Sequence, residues 1–318
     1  MILNKERVIL AKAEATPGTY ETPASATDAV PFFDPSFNEV KEAVERKPHF
    51  NKLTAGNSLI GKHVFELGFS VELNPDILKS DANYFAVLRA LFNACLMEET
   101  AIVNSPGENG YQHDVISAGD TQHTVSLEYY EGGRKYELKA CKGDFTISGE
   151  VGDVLLANFT FQGLEESVSS DTMPSVTYTE TPAPVMNGAT CTIADITLTP
   201  VTSFELAMNN TINERPDFRE ADGVIGFIGT AMAPKISLDP EATQALGDAI
   251  DTLIDARTEK AISVKLNGVS ETSAYVEISG NVVPNQYSRE DREDMIAYGF
   301  ELEITEPTIT LIEEETTL

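Results

Sequence analysis

The side chains able to do chemistry are few, and their spacing does not suit it. Four histidines stand at His49, His63, His113 and His123. A protein metal site needs ligands that converge from short fixed spacings, and no two of these imidazoles fall one turn apart on a common helix. His63 sits on the apolar side of an alternating segment, where a hydrogen-bonded core role is the simpler reading. The cysteines, Cys95, Cys141 and Cys191, are odd in number and scattered, which argues against a disulfide framework or a zinc knuckle. There is no Gly-x-Ser-x-Gly elbow, no phosphate loop and no EF-hand loop. Carboxylates are so numerous that no glycosidase-like pair can be singled out. Catalytic, cofactor-binding and metal-ligating residues are therefore all expected to be none.

Charge is the more informative property. Lys and Arg number 22 against 51 Asp and Glu, a net charge of −29. Such a surface repels DNA phosphates and anionic membranes; solubility alone is the bland explanation. The 318 residues, 42% hydrophobic, suffice for two domains with real cores. The apolar run Val8 to Leu10 is too short for a signal peptide, and no run approaches a membrane helix. With scattered cysteines, a reducing cytoplasm is the expected place of assembly.

Positioning elements follow from periodicity. Residues 1–35, rich in Thr, Pro, Ala and Gly, read as an extended arm. His63, Phe65, Leu67, Phe69, Val71 and Leu73 alternate with Lys62, Val64, Glu66, Gly68, Ser70 and Glu72, the pattern of a long half-buried antiparallel strand. Ser80 or Asp81 then caps a helix carrying Phe85, Leu88, Leu91, Phe92, Cys95 and Leu96. A Gly-Gly hairpin at Glu131 to Arg134 and a second hairpin at Glu150 to Asp153 complete the first half.

Much of this occurs twice. Ser36 to Asp76 is echoed by Ser203 to Glu241, with Arg46-Lys47-Pro48 against Arg215-Pro216 and Leu73-Asn74-Pro75 against Leu238-Asp239-Pro240. A helix after Pro240 and a hairpin at Asn267-Gly268 follow. Val276 to Gly280 matches Phe145 to Gly149, and Asn281 to Asp294 makes a longer polar loop. The expectation is a mainly β fold with flanking helices (α+β), in two tandem β-sandwich or half-barrel domains related by duplication. The boundaries are an arm at 1–35, domain one at 36–163, a linker at 164–190, domain two at 191–306 and an acidic tail at 307–318.

The solvent sides of the strands carry Glu66, Glu72, Glu301 and Glu303. Ordinary alternation accounts for them; the functional alternative is a face lining something that must not hold phosphate.

The run Leu10 to Pro23, the Gly61 to Leu73 strand, the Gly-Gly hairpin with Lys139 to Gly149, and Leu155 to Gly163 together resemble the major tail tube proteins of tailed bacteriophages. The resemblance spans nearly the whole chain and departs from single-domain tube proteins by the duplication. It implies a structural virion protein, not an enzyme, that stacks as rings into the tail tube and lets genomic DNA pass during ejection without specific binding. A two-domain chain would give homotrimeric rings of pseudo-sixfold symmetry. Glu66, Glu72, Glu301 and Glu303 would line the lumen. Val8, Leu10, Arg289, Asp291 and Arg292 would contact neighbouring rings. Partners would be further copies, and the tape-measure, terminator and distal tail proteins at the tube ends. The rival readings are a terminator or baseplate ring with the tube fold, and a bacterial carbohydrate-binding or hydrolytic β-sandwich.

Overall fold

The computed structural model describes residues 6–45, 58–78, 81–103, 108–179, 181–194, 196–198, 200–267, 274–284, 286–292 and 295–315. The first half holds β1 (Arg7–Ala13), β2 (Phe33–Val44), β3 (Leu59–Glu72), α1 (Pro75–Leu78), α2 (Ala82–Ala94), β4 (Met97–Val103), β5 (Glu108–Val115), β6 (Val125–Glu131), β7 (Arg134–Glu150) and β8 (Leu156–Ser170). The second holds β9 (Thr190–Ile193), β10 (Ile196–Thr197), β11 (Ser203–Ala207), β12 (Thr211–Pro216), β13 (Val224–Ala231), β14 (Lys235–Leu238), α3 (Gln244–Ala256), β15 (Lys260–Asn267), β16 (Tyr275–Val282), β17 (Ser288–Arg292) and β18 (Met295–Glu315). The fold is mainly β with flanking helices, as expected from the alternation. Among the described residues sixteen strands form one sheet, and β12 and β13 pair separately as a hairpin.

Local chemistry explains the main elements. Asp81 caps α2, its carboxylate accepting from the Asn83 and Tyr84 N–H groups. The helix turns Phe85, Leu88, Leu91 and Phe92 inward, and Phe92 packs on Phe145 and Phe159. At the β6–β7 turn Gly132 and Gly133 have φ of 55° and 86°. Both central residues of this hairpin turn need positive φ, which glycine adopts without a Cβ clash.

One path through the sheet runs β17-β18-β14-β11-β7-β8-β3-β2, antiparallel throughout. Its core side carries Phe65, Leu67, Phe69, Phe145, Ile147, Phe159, Phe161, Leu206, Ile236, Phe300 and Leu302, all buried. The long strands β7 and β18 then bend out of this layer. Ala140 (φ 54°) and Glu306 (φ 51°) mark the bends, and the ladders to β8 and to β16 shift register beside them. Bulges of this kind let one strand serve two layers. Beyond the bends, β7 pairs with β6, which pairs with β1, while β18 pairs with β16 and β5.

Several expectations need correction. The segment 1–35 is not a loose arm: β1 buries Val8 to Ala11 and pairs with β6 along its length. An apolar run of four, flanked by charge, suffices for a strand when a partner edge is available. The stretch expected as a linker begins inside β8, which continues to Ser170 opposite Arg134. Residues 307–315, expected as a tail, continue β18 against β16 and β5. The polar loop Asn281 to Asp294 contains the end of β16 and all of β17. Gly280 lies at the register shift of the β16–β18 ladder and pairs with Ile262, whereas Gly149 pairs with Phe204. Gly268, Arg46 to Pro48 and Ser80 lie outside the described residues. The halves are also joined by shared ladders, β7 with β11 and β5 with β18, which tandem separate domains would not require.

Candidate functional site

The side of the eight-strand path facing away from the core is polar, and register fixes which residues share it. Directly paired residues of antiparallel strands point to the same face. Reading across the ladders, Glu72 pairs with Leu156, Leu156 with Ser148, Ser148 with Glu205, Glu205 with Ser237, and Ser237 with Glu301. The next row runs Ser70, Asn158, Thr146, Ala207, Lys235, Glu303. Glu66 lies four residues from Ser70 along β3, paired with Gln162 and Asn38. All four glutamates singled out in the sequence thus stand on one face of one sheet, although two come from each half of the chain.

Periodicity in short strands hid further acids on the same face. Glu205, in the middle of the first row, belongs to a strand of only five residues. Asp144 and Glu150 on β7 and Glu290 on β17 share its parity. The alternation Phe204, Glu205, Leu206 was a usable signal; the strand pairing that aligns it with Glu72 was not. Between β7, β11, β14 and β18 the face is concave, forming a groove of about 580 Å³ lined by Ser148, Glu150, Glu205, Ser237, Glu290 and Glu301.

The charges on the face are weakly compensated. Lys235 donates to Glu301 and holds that carboxyl below its usual range, but both side chains are exposed, so the pair is screened. Glu66 accepts from the Asn38 amide at 3.3 Å. Partial burial pushes the Glu72 carboxyl up. Among the described residues the face is therefore polar and mostly anionic.

The residues expected at contacts with other subunits divide. Val8 and Leu10, at 7% and 1% exposure, pack on Tyr130 inside the chain and are not surface residues. Their apolar character serves the subunit's own packing. Arg292 is half-buried, donating to the Asp239 carboxylate at 3.1 Å and to Thr202 Oγ1 at 2.8 Å. Arg289 and Asp291 are exposed on β17. Exposed apolar residues, absent from the sequence reading, cluster on the hairpins: Val44, Leu59 and Ile60 on β2–β3, Phe218 and Ile225 on β12–β13, and Met295 and Ile296 on β17–β18.

His63 lies at the base of two hairpins. Its Nε2 is 3.0 Å from Glu39 Oε1 and its Nδ1 is 3.6 Å from Glu165 Oε2. These three residues could each offer one atom to a cation. The imidazole, however, spends its two nitrogens on different carboxylates, and the Lys41 ammonium already lies 2.6 Å from Glu39 Oε1. The cluster ties β3 to β2 and β8 through these side chains.

A family model described as phage tail tube protein matches residues 5–307. No curated protein sequence matches the chain. A match over nearly the whole length shows membership: the chain belongs to the phage tail tube protein family, and is a structural component of the virion tail.

Proposed function

We propose that this tail tube protein closes into rings of three chains, each chain supplying two of six similar positions, and that the rings stack into a conduit for DNA. The observation that carries this reading is the eight-strand path with its anionic face. Among the described residues, β2 pairs only with β3 at one end and β17 only with β18 at the other. Two such unpaired edges invite association. Cyclic closure, β2 of one chain against β17 of the next, uses both edges and leaves none open. Four strands from each half, first β2, β3, β8 and β7, then β11, β14, β18 and β17, make the two halves equivalent contributors. That equivalence is what an ancient duplication would leave.

The acidic face then turns inward. DNA carries one charge per about 1.7 Å of its axis, and a wall of like charge keeps it from adhering during ejection. The Debye length of about 8 Å at physiological salt confines the effect to DNA near the wall. Ring-to-ring contacts fall to Arg289 and Asp291 and to the exposed apolar residues of the hairpins. Assembly in the host cytoplasm and docking to other tail proteins at the tube ends complete the reading.

Ring closure is tested by paired cysteines on the two edges. Asn38→Cys is combined in turn with Ser288→Cys, Glu290→Cys or Arg292→Cys, to sample registers. Oxidised tubes should give disulfide-linked dimers and cyclic trimers for at least one pair. No inter-chain product from any of the three, in tubes that assemble normally, would exclude this closure.

A further inference from the structure

A second polar feature lies apart from the acidic wall, beneath the β12–β13 hairpin. Lys142 on β7 is 2% exposed. Its ammonium donates to Gln122 Oε1 at 2.9 Å, and that oxygen also accepts from the Gly229 N–H at 2.9 Å. Gln122 is held in place because its own amide donates to the Gly229 carbonyl at 2.8 Å. An ammonium has three donors, and among the described residues Lys142 finds this one neutral acceptor and no carboxylate at ion-pair distance. Glu14, a buried acid whose charge reaches Lys142, is occupied by Gly18, Thr124, Ser126 and Ala140. Burial lowers the Lys142 pKa to about 8, with Cys95 and Glu14 opposing the shift from a distance.

Leaving a buried ammonium without a counter-charge is costly, and more notable in a chain where acids outnumber bases by 51 to 22. Lys142 forms part of the wall of an open cavity of about 330 Å³. Arg215, on β12, lines the same cavity, and its guanidinium has no hydrogen bond or ion pair among the described residues. Asp120 is the acid on the wall, and its Oδ2 is taken by the Ser117 N–H at 2.7 Å. Ile225, Phe227 and Ile228 supply an apolar side. Two uncompensated cations facing one cavity define the chemistry of what fills it.

We propose that the cavity beneath β12–β13 is an oxyanion site, taking one carboxylate or phosphate group between Lys142 and Arg215. The group accepts from the free donors of the ammonium and from the guanidinium fork, both charge-assisted bonds. The space holds one such group with several waters, each occupying about 30 Å³. The source is either a free anion or an acidic side chain of a second copy. The proposal does not depend on ring closure.

The test is calorimetric titration of the full chain with inorganic phosphate and with acetate at fixed ionic strength, before and after assembly. Saturable binding to the unassembled chain is expected. It should be lost in Lys142→Met and weakened by about tenfold in Arg215→Gln, the loss of one charge-assisted bond. Lys235→Gln, on the acidic wall, should leave it unchanged. Arg215 is exposed, so its variant reads the site even if Lys142→Met folds poorly. Binding that persists in assembled tubes identifies a free anion as the occupant; binding abolished by assembly identifies a neighbour's carboxylate. No saturable binding to the unassembled chain, or equal binding by wild type and both variants, would overturn the assignment.

Discussion

Glu14 Oε1 accepts a hydrogen bond from the backbone N–H of Ala140 at 2.8 Å. The bond joins the N-terminal segment to the residue at which β7 bends between layers. The same carboxylate accepts from Ser126 Oγ, Thr124 Oγ1 and the Gly18 N–H, and is 5% exposed. Glu14→Ala removes the acceptor of the buried Ala140 N–H and of two buried hydroxyls. We expect a loss of about 3–5 kcal/mol in unfolding free energy, by the cost of unsatisfied buried groups. Glu14→Gln should recover only part, since its amide turns a donor toward donors. Chemical denaturation of the unassembled chain measures both; wild-type stability in Glu14→Ala would mean that the bend holds without its anchor.

His113 gives a pH signature. It is fully buried on β5 beside Phe92, with neither ring nitrogen hydrogen-bonded. Burial first, and the Arg89 charge second, lower its pKa from 6.5 to about 4. The native state therefore resists a proton that the unfolded chain accepts. This group's contribution is intact above pH 6.5 and is lost as pH falls toward 4, by about 3 kcal/mol in total. The difference in stability between wild type and His113→Leu should shrink or reverse in favour of leucine across that window. A difference that stays constant from pH 7 to 4 would show that His113 is not buried neutral.

The thiols should be silent. Cys95, Cys141 and Cys191 are free and buried. Burial pushes all three up, Cys191 to about 12, so thiolate is scarce at neutral pH. Maleimide should label none of them in the folded chain and all three in denaturant, as read by intact mass. Rapid labelling of any one in native protein would place it outside the core.

If the acidic face lines the conduit as proposed, its charge should matter for passage and not for assembly. Changing Glu66, Glu72, Glu205 and Glu303 together to Lys should leave tubes visible in micrographs, because none of the four caps a helix or fills the core. Infectivity should fall sharply, since the wall would then attract phosphate. Full infectivity with normal tubes would remove the wall from the conduit.

How much of this could be read beforehand follows from range. Alternation marked β3 and β8, and with them Glu66 and Glu72, because side-chain direction in a strand is a local property. Asp81 and the Gly132-Gly133 turn were equally local. Val8 and Leu10 were assigned to a surface because nothing nearby in sequence announces Tyr130 as their partner; that contact spans more than a hundred residues. The row from Glu72 to Glu301 needed five ladders. Nothing local in the sequence marks Lys142 either, because its burial depends on β13 lying over it. Long-range pairing sets these features, and periodicity does not encode it.

The most direct measurement of the central claim is a symmetry-free cryo-electron microscopy reconstruction of tubes assembled from the purified chain. Three chains per ring are expected, with β2 paired with β17 at each of three identical junctions and Glu72, Glu205 and Glu301 facing the channel. Six chains per ring, or a wall with these glutamates on its outer surface, would contradict it.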